Sequence, residues 1–357
     1  MGASSEIYEG TWLKRMLHTK AIIWLAIFGS ILTLVSCSKN TNPAKVENSS
    51  SPAPASSQAN ARPISEAAAP QAQAEDRGVK TEMRDVRFHL TPIAAAHLVV
   101  VSGALWPTGK NDMVNFDDKT SFEVRVTNGT VSIAPDALAD IMNNYVFAKP
   151  NAPLKSLTVA IDGQRLIIKG KLHSKGDIPF GTAGTLSLNN DGRIRVRTEK
   201  ITALKVPVKK LMALFGVELA NVVNTSKIDG IDTDKNDLLM DLGTLLPPPH
   251  IRGKLTGVAV AKDRIVTTFG DGGKSLPEPK EQGSFMATSG SRVKFGKLLM
   301  EPTDLTVLDL DPKSTLDWDQ DHYKEQLQAG YSKITESFGL RAYAKDFSKL
   351  GLNPATK

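Results

Sequence analysis

The sequence is poor in the residues that most often carry covalent or metal chemistry. One cysteine in 357 residues excludes an internal disulfide framework and a zinc site built on several thiolates. His18, His89, His97, His173, His250 and His322 are scattered, with no ligand spacing between any two. There is no G-x-S-x-G elbow and no H-E-x-x-H pair. Gly273-Lys274-Ser275 is not a phosphate-binding loop, because Thr268 stands where the leading glycine belongs. Long apolar runs are scarce too. Only Ala21 to Val35 approaches spanning length, which excludes a polytopic membrane protein. Charge of either sign is nearly balanced, 44 Lys+Arg against 38 Asp+Glu, a mild excess that fits a membrane surface without demanding one. Hydrophobic content of 41% excludes a wholly disordered chain.

Two acidic stretches imitate a calcium loop and lack its essential positions. In Asp232-Thr233-Asp234-Lys235-Asn236 the sixth residue is Asp237 and the twelfth is Gly243, where the loop needs Gly and Glu. In Asp317-Trp318-Asp319-Gln320-Asp321 these positions hold His322 and Gln328. A polar turn explains the first, and acids at a helix start explain the second. Asp304, Asp309 and Asp311 could meet a histidine in space, and they read equally as surface carboxylates. No metal or other cofactor is expected.

What is present at the N-terminus reads as an address. Lys14, Arg15 and Lys20 precede the apolar run, and small residues follow it, the pattern of a secretory signal. The run ends in Leu34-Val35-Ser36-Cys37, which resembles the bacterial lipobox. That resemblance implies cleavage after Ser36, acylation of Cys37 as a lipid anchor such as palmitate, and placement in the cell envelope. Ser38 favours the periplasmic face of the outer membrane. An ordinary signal peptide or an anchor helix with an incidental cysteine is the alternative. Translation starts at Met1 or at Met16. Acyl chains bury about 0.8 kcal/mol per CH₂ in a bilayer. Nucleic acid is a poor partner for an exported lipoprotein. Residues 37–80 are rich in Ala, Ser, Pro and Gln with no apolar period, and read as a disordered tether.

From Thr81 the pattern becomes alternation. Val86, Phe88 and Leu90 alternate with polar residues, and so do Phe122, Val124 and Val126. Asn128-Gly129 reads as a hairpin turn into Thr130–Ile133. Leu157–Ile161 turns at Asp162-Gly163 into Leu166–Leu172. Leu186 and Leu188 turn at Asn190-Asp191-Gly192 into Ile194 and Val196. Leu255–Val260 turns at Lys262-Asp263 into Ile265–Phe269. Three helices are expected. Pro135–Val146 carries Leu138, Ile141, Met142 and Tyr145 on one stripe. Pro207–Val223 carries Leu211, Met212, Phe215 and Leu219 at spacings of three and four. Asp319–Ile334 carries Tyr323, Leu327, Tyr331 and Ile334. Strands mixed with separate helices argue an α+β fold with a mostly antiparallel sheet. Gly270–Gly273 and Pro277–Pro279 read as a joint after a domain at 81–275, with 284–357 as a C-terminal α+β extension.

Lys209 and Lys210 sit in the first turn of the second helix, where cations oppose the helix dipole by roughly 0.3–1 kcal/mol each. A basic cluster beside Leu211, Met212 and Phe215 suits anionic headgroups and acyl chains. Solvated lysines above a core stripe give the same pattern.

The stretch from about Asp85 to Gly270 resembles the LmeA-like family of exported phospholipid-binding proteins and, more distantly, the tubular lipid-binding architecture. The resembling features are LKSLTVAIDGQRLIIKGKL, GTLSLNNDGRIRV, VPVKKLMALFGVEL, NDLLMDLGTLLPPP and IRGKLTGVAVAKDRIVTTFG, in that order. The resemblance implies a strongly twisted sheet wrapped on a long helix around an apolar groove. It brings no catalytic residue. The expected function is therefore binding of phospholipid or another acyl-chain ligand, with Lys209, Lys210, Leu211, Met212 and Phe215 at the site. A scaffold lipoprotein that binds an envelope protein is the alternative, and an envelope hydrolase is the third reading.

Overall fold

The computed structural model describes residues 77–109, 112–173, 177–199, 202–203, 225 and 228–352. Strands form in chain order as β1 (Val79–His89), β2 (Ala95–Pro107), β3 (Val114–Asn115) and β4 (Phe122–Ile133). Helix α1 (Pro135–Ile141) and a π turn (Met142–Val146) follow. Next come β5 (Leu154–Asp162), β6 (Arg165–His173), β7 (Asp177–Leu188), β8 (Ile194–Thr198), β9 (Thr202–Ala203), β10 (Ile231–Asp234) and β11 (Asp237–Met240). After the short helix α2 (Leu242–Leu245) stand β12 (His250–Gly253), β13 (Leu255–Ala261), β14 (Arg264–Phe269), β15 (Phe285–Gly290), β16 (Val293–Phe295), β17 (Leu298–Met300), β18 (Thr303–Asp309) and β19 (Leu316–Asp319). Helix α3 (Tyr323–Gln328), β20 (Tyr331–Ile334), β21 (Leu340–Ala344) and a 3₁₀ turn (Phe347–Lys349) end the described chain.

The expected α+β architecture is corrected. The described chain is mostly β. Its longest helical stretch is the continuous pair of α1 and the π turn, Pro135–Val146, and no long helix is wrapped by a sheet among the described residues. An 11-stranded sheet runs β13-β14-β4-β2-β1-β15-β18-β21-β20, with β12 beside β4 and β19 beside β1. A second sheet runs β10-β11-β8-β7-β6-β5, with β9 beside β7. A small sheet of β17, β16 and β3 caps one side of the core. The chain after Gly283 is not an α+β extension. β15, β18, β21 and β20 continue the same main sheet from β1 outward.

Local chemistry accounts for the hairpins. Gly163 and Gly192 hold positive φ in the β5–β6 and β7–β8 turns, and Lys262 does so between β13 and β14. Asn128-Gly129 departs from its expected role, because β4 runs straight through it. A Cβ on Gly129 would lie 2.8 Å from the Val100 carbonyl oxygen, so this glycine serves close approach of β2 rather than a turn. Asn128 Oδ1 instead accepts from the Asp271 N–H at 3.1 Å.

The first expected helix spans its predicted range. Ile141 and Met142 are buried as expected, but Tyr145 is 42% exposed. The last turn widens there, with Phe147 N–H donating to Met142 oxygen, and this rotates Tyr145 off the stripe. The third expected helix is cut short. α3 ends at Gln328, and Tyr331 and Ile334 belong to strand β20. Gly330 forces the change: a Cβ there would lie 1.8 Å from the Tyr343 carbonyl oxygen, so the backbone turns back against β21. The second expected helix, Pro207–Val223, lies outside the described residues.

β1 is a fork. Its first half, Val79–Arg84, pairs antiparallel with β15, and its second half, Val86–His89, pairs in parallel with β19. Asp85 sits at the branch with φ of 50°, a conformation asparagine and aspartate tolerate better than other side chains. Its carboxylate accepts from His97 Nε2 at 2.7 Å, Ser284 Oγ at 3.0 Å and Thr315 Oγ1 at 3.0 Å. One side chain thus ties β2 to the starts of both diverging strands. Burial pushes the Asp85 pKa up, but these hydrogen bonds prevail and hold it below the ordinary value.

The core is filled by its own side chains. Trp318 and Leu316 from β19 are fully buried, and Phe116, Phe122, Phe295 and Tyr323 gather around them. Phe116 meets Phe295 edge to face at 5.3 Å between ring centroids. The Tyr323 hydroxyl accepts from Gly296 N–H at 2.8 Å and donates to Asp117 at 2.5 Å, so this ring spends no buried polar atom. Gln326 of α3 is also fully buried and fully engaged. It donates to the carbonyls of Asp317 and Lys345 and accepts from Asp319 N–H, clamping β19 to the chain after β21.

Candidate functional site

Histidines meet carboxylates in this fold, though not Asp304, Asp309 or Asp311. His89 pairs with Asp317 at 2.6 Å, His97 with Asp85 at 2.7 Å, His173 with Asp177 at 2.7 Å and His322 with Asp319 at 3.0 Å. Asp304 instead binds Arg341 at 2.8 Å. Asp309 faces Asp346 and accepts from Ser314 Oγ at 2.7 Å and Asp311 N–H at 2.7 Å.

The His89–Asp317 pair is buried. Its register follows from β1 and β19 running in parallel, which sets His89 beside Asp319 with Asp317 two residues back. The second Asp317 oxygen accepts from Ser348 N–H at 3.0 Å. Burial opposes ionisation of Asp317, but the His89 and Ser348 hydrogen bonds outweigh it and hold the carboxyl at about 2. The His89 ring stands edge-on to Phe347 at 4.8 Å, and its Nδ1 has no hydrogen-bond partner among the described residues.

This pair lacks the rest of a catalytic constellation. The adjoining cavity measures about 10 Å³, and Thr91, Lys119, Pro248, Asp319 and Asp321 line it beside His89. That is the volume of one water. Thr91 is the hydroxyl there, and it is bonded to Asp140 at 2.9 Å. The Ser284–Asp85–His97 cluster has the wrong order. In acyl transfer the imidazole stands between hydroxyl and carboxylate. Here the carboxylate stands in the middle, so the imidazole does not reach the serine. Both clusters tie strands together. Among the described residues no group of His, Cys, Asp or Glu side chains converges as a metal site.

Two apolar cavities bear on ligand binding. One, of about 20 Å³, lies against the main sheet between Met83, Leu105, Phe122, Val124, Met286 and Val307. The other measures about 130 Å³ and is lined by Val131, Leu242, Leu246, Ile251, Leu255 and Phe269, with Asp241 and Arg252 among its polar walls. Asp241 is fixed by the Gly243 N–H and the Thr244 hydroxyl, and Arg252 lies 3.5 Å from Glu123.

Cys37, Lys209, Lys210, Leu211, Met212 and Phe215 lie outside the described residues. The described surface has two features that sequence reading missed. Lys155 and Lys171 stand directly opposite each other on β5 and β6, an unfavourable pairing of like charges. Only the strand register reveals it. At the far edge of the main sheet the β20–β21 hairpin exposes Ile334 by 74% and Phe338 by 92%. Thr335 to Gly339 between two β-prone runs was the available signal, and the helical reading of Asp319–Ile334 obscured it.

The described residues form a predominantly antiparallel β protein in which the His89–Asp317 and Asp85 clusters tie strands together. No family model matches the chain, and neither a curated protein nor a solved structure matches it. No described helix is long and apolar enough to cross a membrane.

Proposed function

We propose that this chain is an envelope lipoprotein, anchored through Cys37, that works by non-covalent binding at the surface of a solid β scaffold. The observation that carries this reading is the filled interior of the main sheet. Among the described residues, the cavity against that sheet, lined by Phe88, Phe116, Phe122 and aliphatic side chains, measures about 20 Å³, against the roughly 300–1,000 Å³ of ordinary ligand pockets. The partner is an envelope component, a protein or the membrane itself. Cross-linking in intact cells, followed by mass spectrometry of the captured complex, tests the reading. A defined envelope partner supports it. Stoichiometric lipid released from purified protein, with no surface partner, refutes it.

A second reading keeps an acyl-chain ligand, as the LmeA-like resemblance suggests. The 130 Å³ pocket favours it, being apolar and close to the ~150 Å³ void that holds one benzene ring. It would take the end of one chain. Loss of co-purifying lipid from Leu246→Trp protein tests this, since the larger ring fills the pocket.

A further inference from the structure

We propose that the tip of the β20–β21 hairpin dips into the lipid bilayer and sets the end of the body that faces the membrane. This deepens the reading of a Cys37-anchored protein and rests on it.

The tip displays apolar side chains where folding alone would not place them. Phe338 is 92% exposed and holds φ of 63°, a conformation unfavourable for an aromatic residue. The turn enforces it. Thr335 N–H donates to the Gly339 carbonyl at 2.8 Å, Phe338 N–H to the Thr335 carbonyl at 3.0 Å, and Gly339 N–H to Thr335 Oγ1 at 2.8 Å. Strain kept at an exposed apolar residue points to use of that residue.

Polarity is graded along the hairpin. Ile334, opposite Leu340, lies next to the tip. Three residues further in, about 10 Å at the usual rise, Tyr331 stacks on Tyr343 with centroids 4.3 Å apart. Lys333 Nζ lies 5.4 Å and 5.6 Å from those rings. The turn is Thr335-Glu336-Ser337-Phe338-Gly339, so Phe338 and the adjoining Ile334 are its apolar residues, and tyrosines and a cation behind them match the order from acyl boundary to headgroup. Lys333 and Glu336 contribute one charge of each sign, and Arg341 is held by Glu281 and Asp304. The contact is therefore apolar rather than electrostatic.

Topology places this tip where the anchor enters. β1, β18 and β21 run in the same direction, so Val79, Thr303 and Leu340 mark one end of the sheet. Gly339 and Phe338 continue β21 toward that end, and the hairpin turn lies there. Three strand spacings, about 14 Å, separate β21 from β1. Residues 38–76 join Cys37 to this end, and a flexible chain of that length spans roughly 35 Å. Val79, the first strand residue after the segment that carries Cys37, thus lies at the same end of the sheet as the hairpin turn. Leu298 and Leu299, both more than half exposed, precede Thr303 by a short turn.

The lone cysteine permits a clean test. Acylation of Cys37 leaves Phe338→Cys as the one free thiol of the acylated chain. A nitroxide on that thiol is measured for oxygen and nickel-complex accessibility, with the acylated protein in phosphatidylcholine nanodiscs and again with phosphatidylglycerol added. The label should sit within 10 Å of the acyl boundary in both lipids. A label at Leu310→Cys, at the opposite end of β18, should remain in water. Adding Ile334→Ser should lower the immersed fraction by about tenfold. A Phe338 label that stays aqueous, or enters only with phosphatidylglycerol, overturns the proposal. The second outcome would assign the contact to lysines such as Lys155 and Lys171. Immersion in whole envelopes but not in nanodiscs would assign it to a protein and also overturns it. The mass of the Cys37 peptide reports acylation separately, so failure of the anchor is distinguishable from failure of the tip.

Discussion

Asp309→Asn should stabilise the protein at neutral pH and destabilise it in acid. Asp309 is 4% exposed and faces Asp346, which is itself held by Lys349 at 2.6 Å and accepts from Asp317 N–H. Burial pushes the Asp309 carboxyl from 3.8 up to about 6, and the Asp346 charge adds to the rise; the Ser314 and Asp311 hydrogen bonds oppose it. A carboxyl raised in the folded state contributes stability that is full below about 3.8 and lost as pH rises through 6. The difference corresponds to about 3 kcal/mol between pH 3.5 and 7.5. Asparagine removes the buried charge but weakens the bonds to Ser314 and Asp311, so a gain of about 1–2 kcal/mol is expected at pH 7.5. That corresponds to about 2–6 °C in Tm for a chain of this size. Thermal unfolding of both proteins is followed by circular dichroism from pH 4.5 to 8. Taking the difference cancels the contributions of the other titrating groups. A difference in Tm that does not change with pH would refute the buried-acid account.

Three further outcomes follow from the same structure. Asp85→Ala should cost about 2–3 kcal/mol in urea unfolding, through lost hydrogen bonds and strain at positive φ, whereas Asp85→Asn should cost less than half of that; equal losses would mean the branch geometry is not held by this side chain. His89→Phe should destabilise by about 1.5–3 kcal/mol, because Asp317 loses its imidazole partner and keeps Ser348 N–H and Arg87 at 3.8 Å, and Asp317→Leu in the same protein should restore most of it, as read from denaturation midpoints. Trp318→Ala should cost about 3–5 kcal/mol and open a cavity that binds a hydrophobic dye, and unchanged stability would contradict a filled core.

The hairpins were legible because their causes are local. Alternation and a turn residue suffice for β5–β6, β7–β8 and β13–β14. Asn128-Gly129 carried the same turn signature and misled, because the close approach of β2 is set by residues far away in sequence. Spacing of three and four placed Tyr331 and Ile334 on a helix, and only the nearness of Gly330 to β21 shows why the chain turns into a strand. The buried His89–Asp317 pair joins residues 228 positions apart, so no spacing rule could announce it. Cys37, read as a lipid anchor, and the Lys209–Phe215 cluster were the clearest site signals in the sequence, and both fall outside the described residues. What was illegible is the fork at Asp85, which exists only once β15 and β19 arrive on either part of β1.

That fork also orders the assembly of the protein in time. β1 is made early, yet its partners beyond β2 lie some two hundred residues later, at Phe285–Gly290 and Leu316–Asp319. A chain emerging N-terminus first therefore carries one bare strand edge until its last third has been synthesised. Contacts of such long sequence separation form slowly. The C-terminal strands β15 and β19 thus complete the sheet around β1 only after most of the chain has been made.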